Sequence, residues 1–227
     1  MSLSKKTLSG LSWTMLGTVG NVLLQLFYTS WISQILSPAE FGLMALATTV
    51  MGFGAHFSRM GIGQALIQKE SLDKYTIRAA FTLSLFFNSL VALLLFVSAP
   101  WIAQYFKSEL LVPILSITSL TFVCNGFSAV STSLLRRDMQ FKKISLINLL
   151  SFILAYPVIG IVLALQGWEV WSLVTALLAQ SVIFSVLQYI AKPYPIIPTF
   201  KTSHYVPILS YGGKVSFNGI LTYLMVI

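Results

Sequence analysis

Six apolar runs, each long enough for a helix to cross a membrane, dominate this 227-residue chain. A helix needs about 20 residues to cross a hydrocarbon core of about 30 Å. Hydrophobic residues make up 56% of the chain and charged residues only 9%, whereas soluble domains are about one quarter charged. The sequence therefore predicts an all-α fold, a polytopic bundle of transmembrane helices. The predicted spans are residues 12–36, 41–61, 79–102, 111–134, 144–165 and 170–190, and a truncated seventh span begins near residue 208.

A proline-rich segment follows the sixth predicted span. Residues 192–207 contain four prolines, which cannot continue a helix. The predicted organisation is a six-helix transmembrane lobe over residues 1–191, a cytoplasmic linker over 192–207, and the start of an incomplete second lobe over 208–227. Because residue 227 falls inside a predicted helix, we expect the sequence to be a fragment that lacks its C-terminal lobe.

The basic residues predict the orientation of the bundle. With the N-terminus in the cytoplasm, all 14 Lys and Arg residues except Lys107 fall on or near the cytoplasmic side. Short cytoplasmic loops of membrane proteins are enriched in Lys and Arg. We therefore expect a cytoplasmic N-terminus, and we attribute the net charge of +8 to topology and to contact with membrane lipids rather than to nucleic acid.

No residue pattern predicts catalysis, a metal site or a cofactor. All six acidic residues fall in loops or at predicted helix ends, so no carboxylate pair is placed for general acid and base chemistry. His56 and His204 have no partner at ligand spacing, and the single cysteine, Cys124, provides no disulfide framework. The sequence therefore favours a function other than that of an enzyme.

Polar side chains recur at helical spacing within four of the apolar runs. Residues three or four positions apart lie on one face of a helix, so each series forms a stripe. Such stripes suit helices around a central hydrated cavity, because amides and hydroxyls need partners that lipid does not supply. The alternative is that they join packed helices, where small and hydroxylated residues are also common. The series are Thr14, Thr18, Asn21 and Gln25; Thr48, Gly52, His56 and Arg59; Ser84 and Asn88; and Thr118, Thr121, Asn125, Ser128 and Thr132.

Basic side chains near the span ends also have two interpretations. Arg59 lies about 27 Å along the helix from Phe41, close to the boundary of the hydrocarbon core, where it either anchors in the headgroups or faces the mouth of a cavity. The run LLRRDMQFKK, residues 134–143, holds four basic residues around one aspartate. It is either a loop attracted to anionic headgroups or a loop that meets a phosphate-bearing lipid substrate. The sequence leaves both pairs of alternatives open.

Four stretches resemble one known family in order and spacing. They are GLSWTMLGTVGNVLLQL after a basic N-terminus, ILSPAEFGLMALATTV, MGIGQALIQK and LLRRDMQFKK. The chain resembles the N-terminal half of the polysaccharide biosynthesis or oligosaccharide flippase family, the O-antigen and teichuronic acid type within the multidrug/oligosaccharidyl-lipid/polysaccharide exporter superfamily. The resemblance implies a bacterial inner-membrane protein with two six-helix lobes around a central cavity. It also implies outward movement of an undecaprenyl-pyrophosphate-linked oligosaccharide by alternating access.

The resemblance suggests which residues bind the substrate. Arginine can hold phosphate oxygens bidentately, so Arg59 is the first candidate for the pyrophosphate and Arg78 the second. The candidate cavity residues are Asn21, Gln25, His56 and Asn125. Three alternatives remain: a cation-coupled multidrug exporter of the same superfamily, a membrane-embedded sugar polymerase or glycosyltransferase, and a nonfunctional truncated product. The lack of an intramembrane carboxylate argues against the exporter, and the short loops argue against the polymerase.

Overall fold

The computed structural model describes residues 3–58, 61–69, 71–199, 205, 208 and 210. This part of the chain is helical and contains no β-strand, which confirms the predicted all-α class. Its elements are α1 (Leu3–Ile32), α2 (Pro38–Ser58), α3 (Ile62–Gln68), α4 (Lys74–Tyr105), α5 (Leu111–Arg137), α6 (Phe141–Ile153), a π-helical segment (Leu154–Gly160), α7 (Ile161–Leu165) and α8 (Val170–Ala191).

Five helical segments of the described chain are long and apolar enough to cross a membrane. They are α2, α4, α5, the run from α6 through α7, and α8, which correspond to predicted spans two to six. With 30 residues, α1 has the length for the first span, but its amides and hydroxyls lower its hydropathy and it is not among the five. The start of the seventh span lies outside the described residues, apart from Ile208 and Ser210. Six spans and a cytoplasmic N-terminus therefore stay predictions.

Local side-chain contacts account for where α2 and α4 begin. Glu40 Oε2 accepts hydrogen bonds from the backbone N–H of Ser37 at 2.6 Å and from the Ser37 hydroxyl at 2.7 Å, and Pro38 takes the first helical position. At the start of α4, an Asp73 carboxylate oxygen accepts from the backbone N–H of Thr76 at 3.0 Å. Hydrogen bonding to Thr76 holds the pKa of Asp73 below its ordinary value.

The first span, predicted over 12–36, is observed as α1 over Leu3–Ile32. Two further spans also differ from the observed helices. The span predicted over 41–61 ends at Ser58, and Gly61 has a φ of 61°, a left-handed conformation that precedes α3. The span predicted over 144–165 is interrupted by the π-helical segment, which contains Pro157. Proline has no N–H for the usual helical hydrogen bond, and single π-helical turns are one way in which a helix accommodates such a defect.

The centre of the bundle is α5, which packs against α2, α3, α4 and α8. Its contact with α4 is the most extensive in the described chain. A Cβ added to Gly126 would lie 3.2 Å from Leu85 Cα and 3.1 Å from Asn88 Cβ. The crossing of α4 and α5 therefore depends on a residue without a side chain. On the other side of α5, the Ser185 hydroxyl of α8 donates to the Cys124 carbonyl at 2.7 Å.

The first helix packs along α6 rather than against α5. Gly10, Gly17 and Gly20 face α6, and a Cβ added to Gly17 would lie 2.6 Å from the Ser145 side chain. The Ser145 hydroxyl in turn donates to the Trp13 carbonyl at 3.1 Å. A glycine seam therefore permits this close approach, as is common between membrane helices.

The helices alternate between two ends of the bundle. One end, here called the linker end, holds α3, the α5–α6 turn and residues 192–199. The other, called the far end, holds the α1–α2, α4–α5 and α7–α8 turns. Each end has its own buried apolar cluster, one around Leu66 and Phe81 and the other around Leu111 and Ile114.

Candidate functional site

One face of α2 is packed and the opposite face is open. A Cβ added to Gly54 would lie 3.2 Å from three side chains, whereas one added to Gly52 would meet no heavy atom within 4 Å. Thr48 and His56 share the exposed side with Gly52. His56 Nδ1 lies 2.9 Å from the Gly52 carbonyl, which can only accept, so this nitrogen carries the proton. The buried residues of α2 are Ala47, Gly54 and Ser58.

The polar stripe of α1 lies beside its glycine seam and is open as well. Thr14, Thr18 and Gln25 are exposed, and Asn21 is half-buried. The threonine hydroxyls donate to the carbonyls of Gly10 and Thr14, each at 2.9 Å. Both predicted cavity residues of this helix, Asn21 and Gln25, therefore lie at least partly uncovered.

The polar stripe of α5 lies mostly inside the bundle. Thr118, Thr121 and Ser128 are at most 4% exposed, and their hydroxyls donate to carbonyls of their own helix at 2.7 to 3.2 Å. The pair on α4 is buried too, with Asn88 Nδ2 donating to the Ser84 carbonyl at 2.8 Å. These residues lie between packed helices rather than along an open cavity, and their polar groups find hydrogen-bond partners there.

Three members of these stripes remain, and two of them, Asn125 and Arg59, are candidate residues. The third, Thr132, is half-buried, and its hydroxyl has no hydrogen-bond partner in the described chain. Asn125 is the exposed residue of the α5 stripe. Arg59 lies outside the described residues, so its placement on the face of Thr48, Gly52 and His56 rests on helical spacing alone.

Arg78 lies near the start of α4 and not on α2. Its guanidinium carbon is 5.9 Å from the centre of the Tyr75 ring, and its Nε is buried with no hydrogen-bond partner in the described chain. One turn further along α4, the Thr82 hydroxyl accepts from the backbone N–H of Thr199 at 3.2 Å. Arg78 therefore lies one turn before the residue of α4 that contacts the segment after α8.

The run LLRRDMQFKK contains a residue with a structural role that the sequence did not reveal. Arg137 Nη1 donates to the carbonyls of Leu66 at 2.9 Å and Ile67 at 3.1 Å, and also to that of Lys69. These are the carbonyls at the end of α3, where a cation interacts favourably with the helix dipole. Arg137 therefore ties α3 to α5.

The neighbours of Arg137 in that run differ in their surroundings. Lys142 Nζ lies 4.7 Å from the centre of the Trp13 ring, a cation–π contact between α6 and α1. Arg136 and Lys143 are exposed at the linker end. These two remain available to anionic headgroups or phosphate.

The GxGQ stretch after α2 is explained by packing. Gly61 adopts a left-handed conformation, and a Cβ added to Gly63 would lie 2.7 Å from the Ser133 hydroxyl. A side chain is therefore disfavoured at both glycines, although for different reasons. The buried residues of α3 are Ile62, Ala65 and Leu66.

Sequence reasoning missed a polar residue in α8. Gln188 is fully buried, and neither its Oε1 nor its Nε2 has a hydrogen-bond partner in the described chain. Ser181, Ser185 and Gln188 recur at spacings of four and three, the same signal that identified the other stripes. Within the described residues, no three His, Cys, Asp or Glu side chains are grouped as metal ligands.

These observations define a helical, multi-pass membrane protein in which α1 and α2 keep polar faces open. Comparison with known proteins identifies the family. Residues 32–226 match the family described as polysaccharide biosynthesis protein, and the chain belongs to that family. It is therefore a multi-pass protein of the bacterial inner membrane.

Several characterised bacterial proteins are similar to it. The succinoglycan biosynthesis transport protein ExoT of Rhizobium meliloti is 31% identical over 191 residues, which is 82% of this chain and 38% of ExoT. The lipopolysaccharide biosynthesis protein WzxC of Escherichia coli is 24% identical over 99% of this chain and 46% of WzxC. The teichuronic acid biosynthesis protein TuaB of Bacillus subtilis is 26% identical over 79% of this chain and 37% of TuaB. The chain thus spans less than half the length of these relatives, and no solved structure matches it.

Proposed function

We propose that this chain is the N-terminal lobe of a flippase that exports an undecaprenyl-pyrophosphate-linked oligosaccharide by alternating access. Family membership supports the proposal, since one relative is named a succinoglycan transport protein and others are named for lipopolysaccharide and teichuronic acid biosynthesis. In this proposal α1 is the first of six spans and the N-terminus is cytoplasmic. The linker over residues 192–207 leads to a second lobe, and the protein transports its substrate without catalysing a reaction on it.

The observation that carries the proposal is that α2 is both polar and open. Of the five candidate spans, α2 is the least apolar and also the least buried, with 17% of its most apolar window inside the protein against 50% for α5. A helix that faces lipid is expected to be more apolar on its exposed side, because lipid provides no hydrogen-bond partners. The open faces of α1 and α2 therefore suit a hydrated passage.

Hydroxyl and amide groups on these faces match the chemistry of a sugar chain. Threonine hydroxyls and the amides of Asn21 and Gln25 can both donate and accept hydrogen bonds, as sugar hydroxyls do. Phe53 and Phe57 lie along the flank of the α2 face, 72% and 51% exposed. In the proposed mechanism the sugar moves along the polar groups while the lipid tail stays in the bilayer beside these rings.

The charged headgroup of the substrate requires a cation near the cytoplasmic boundary. By helical spacing, Arg59 continues the face of Thr48, Gly52 and His56, and its guanidinium can hold pyrophosphate oxygens bidentately. Arg78 lies on α4, one turn before Thr82, rather than on the helix that carries that face, so we assign it the second place. His56 and Asn125 are proposed to contact the sugar.

The experiment is a flipping assay with a fluorescent undecaprenyl-pyrophosphate oligosaccharide in vesicles that contain the full-length protein. We expect Arg59→Ala to abolish transport and Arg59→Lys to reduce it, because an ammonium group cannot form the bidentate contact. Lys107→Ala is the control, since Lys107 is an exposed basic residue in the α4–α5 turn, at the opposite end of the bundle. Wild-type transport by both Arg59 variants would show that the role assigned to Arg59 is wrong.

The same vesicles test the proposal as a whole. A full-length protein that moves no lipid-linked oligosaccharide but exports a fluorescent cationic drug would replace the flippase assignment with the multidrug exporter. Transport of the oligosaccharide that is lost when the lipid lacks its pyrophosphate would support headgroup capture.

A further inference from the structure

The helix that runs from α6 through α7 changes its surroundings just before its π-helical segment. Between residues 141 and 150 no residue is buried. Beyond this point the helix enters the bundle, and its π-helical segment and α7 pack against α8. The first part of the helix is therefore peripheral, and the second is part of the core. The buried residues of the second part are Ser151, Phe152, Ala155, Gly160 and Ala164.

The first helix shows the same division. Between residues 10 and 27 the only buried residues are two glycines, and both face α6. Tyr28 and Ile32 are at most 4% exposed and belong to a buried apolar cluster that includes Leu173 of α8. In the described chain, α6 is the helix against which α1 packs extensively. α1 is thus held in the core near its far end, and its remaining length lies along the peripheral part of α6.

These two peripheral parts are joined to each other by specific contacts. The Ser145 hydroxyl donates to the Trp13 carbonyl at 3.1 Å, and Lys142 Nζ lies 4.7 Å from the centre of the Trp13 ring. α6 also touches α8, but among the described residues the side-chain hydrogen bonds of α6 go to α1 or to α6 itself. We call residues 10–27 of α1 together with residues 141–150 of α6 the arm.

The π-helical segment is suited to bending. Pro157 has no N–H, so the carbonyl one turn before it lacks its usual helical donor, and a bend there breaks no hydrogen bond to that residue. The Tyr28 ring of α1 lies 5.1 Å from Tyr156 and 6.2 Å from Phe152, measured between ring centres. The Tyr28 hydroxyl has no hydrogen-bond partner in the described chain. Apolar ring contacts are not directional, so they can adapt when the helices tilt.

We propose that the arm is hinged at the π-helical segment and swings relative to the core formed by α4, α5 and α8. This inference rests on the proposed flippase, in which the polar face of α1 lines the passage. The arm carries that polar face, which consists of Thr14, Thr18, Asn21 and Gln25. Bending at the π-helical segment therefore moves the groups that contact the sugar and changes the width of the passage at the linker end.

Distances between spin labels test the hinge directly. In full-length protein carrying Cys124→Ala, the arm pair is Lys74→Cys with Lys143→Cys, and the matched core pair is Lys74→Cys with Arg136→Cys. All three positions are exposed at the linker end, and positions 136 and 143 lie on either side of the α5–α6 turn. We expect one narrow distance distribution for the core pair and a broad or double one for the arm pair. Equally narrow distributions, with and without the fluorescent undecaprenyl-pyrophosphate oligosaccharide, would overturn the hinge.

Replacing the proline tests whether the π-helical segment sets the bend. Pro157→Ala restores the missing N–H, so we expect it to narrow the arm-pair distribution and to slow flipping by about tenfold or more. Pro100→Ala is the matched control, since Pro100 lies inside α4, which stays α-helical around it. The control should change neither measurement. An arm pair that stays broad in Pro157→Ala would show that the hinge lies elsewhere, and a narrowed arm with unchanged flipping would show that the swing is not part of transport.

A disulfide within the arm tests whether α1 and α6 move together. A Cβ added to Gly20 would lie 3.4 Å from Leu149 Cδ2, so the pair is Gly20→Cys with Leu149→Cys, and loss of maleimide labelling reports the bond. The oxidised pair should flip lipid at the rate of its reduced form. A bond that stops flipping would show that the two helices separate and that the arm is not one unit. Failure of the flippase assignment looks different, because the unchanged protein then flips no lipid-linked oligosaccharide, and the label distances alone decide whether the arm is hinged.

Discussion

The polar stripe of α5 and the polar faces of α1 and α2 use the same residue types at the same spacing but lie in opposite surroundings. Thr121 is 4% exposed and its hydroxyl is bonded within its own helix. Thr48 is also bonded within its own helix, yet it is exposed beside Gly52, which has open space around it. Polar residues in a membrane helix therefore mark either a contact between helices or a surface left for another partner.

The largest loss of stability should come from adding a side chain at the tightly packed contact between α4 and α5. Gly126→Leu would push side-chain atoms into Leu85 Cα and the Ser84 carbonyl of α4, which are backbone atoms that cannot rotate away. Overpacking costs about 1–3 kcal/mol where neighbours can adjust, and here we expect more. The measurement is the yield of monodisperse protein on size-exclusion chromatography. A variant with wild-type yield and thermal stability would contradict the tight α4–α5 crossing.

Adding a side chain on the open face of α2 should impair transport and leave the fold intact. A Cβ at position 52 meets no heavy atom within 4 Å, and replacing a glycine within a helix stabilises the helix by up to about 1 kcal/mol. We expect transport to fall about tenfold, equivalent to ~1.4 kcal/mol on the barrier. Val97→Phe, which adds bulk at an exposed apolar position of α4, is the control and should transport normally. Wild-type transport by Gly52→Leu would mean that this face does not line the passage.

Removing the Arg137 cap at the end of α3 should lower stability by a smaller amount and should not affect transport directly. Arg137→Met keeps an unbranched apolar side chain but leaves three carbonyls without their charged donor, and hydrogen bonds to charged groups contribute about 1.5–3 kcal/mol. Arg136→Met, at the exposed neighbour, should stay within about 0.5 kcal/mol. The two variants are compared by thermal unfolding in the same detergent. Equal stabilities would contradict the capping role.

The smallest effects should come from removing single hydroxyl groups, one from the buried stripe of α5 and one from the open face of α2. Thr121→Val removes a hydroxyl whose hydrogen bond contributes about 0.6 kcal/mol in membrane helices, so stability falls slightly and transport is unchanged. Thr48→Val removes an exposed hydroxyl, so stability is unchanged and transport slows. Both variants are measured for thermal stability and for flipping. The reverse pattern would exchange the roles that we assign to the two faces.

Several features of this protein follow from the sequence alone because they depend on short-range properties. The length of an apolar run predicts a membrane-crossing helix, which explains why spans two to six correspond to observed segments. The family resemblance follows from stretches such as MGIGQALIQK, and the comparisons confirm it. Gly61 and Gly63 show why such a motif is informative, since a left-handed turn and a close contact with Ser133 both disfavour a side chain.

Other features were decided only by the tertiary structure. Helical spacing shows which residues share a face, but what covers that face comes from helices far away in the chain. For that reason the stripes of α1, α2 and α5 looked alike in sequence, and only packing separated them. Arg137 was one of four similar basic residues until the fold brought the end of α3 within reach of its guanidinium. Residues 192–199 look like an ordinary proline-rich linker in the sequence, yet Tyr194 is buried among three helices. A contact between residues 67 positions apart, such as that of Tyr194 with Phe127, leaves no local pattern in the sequence.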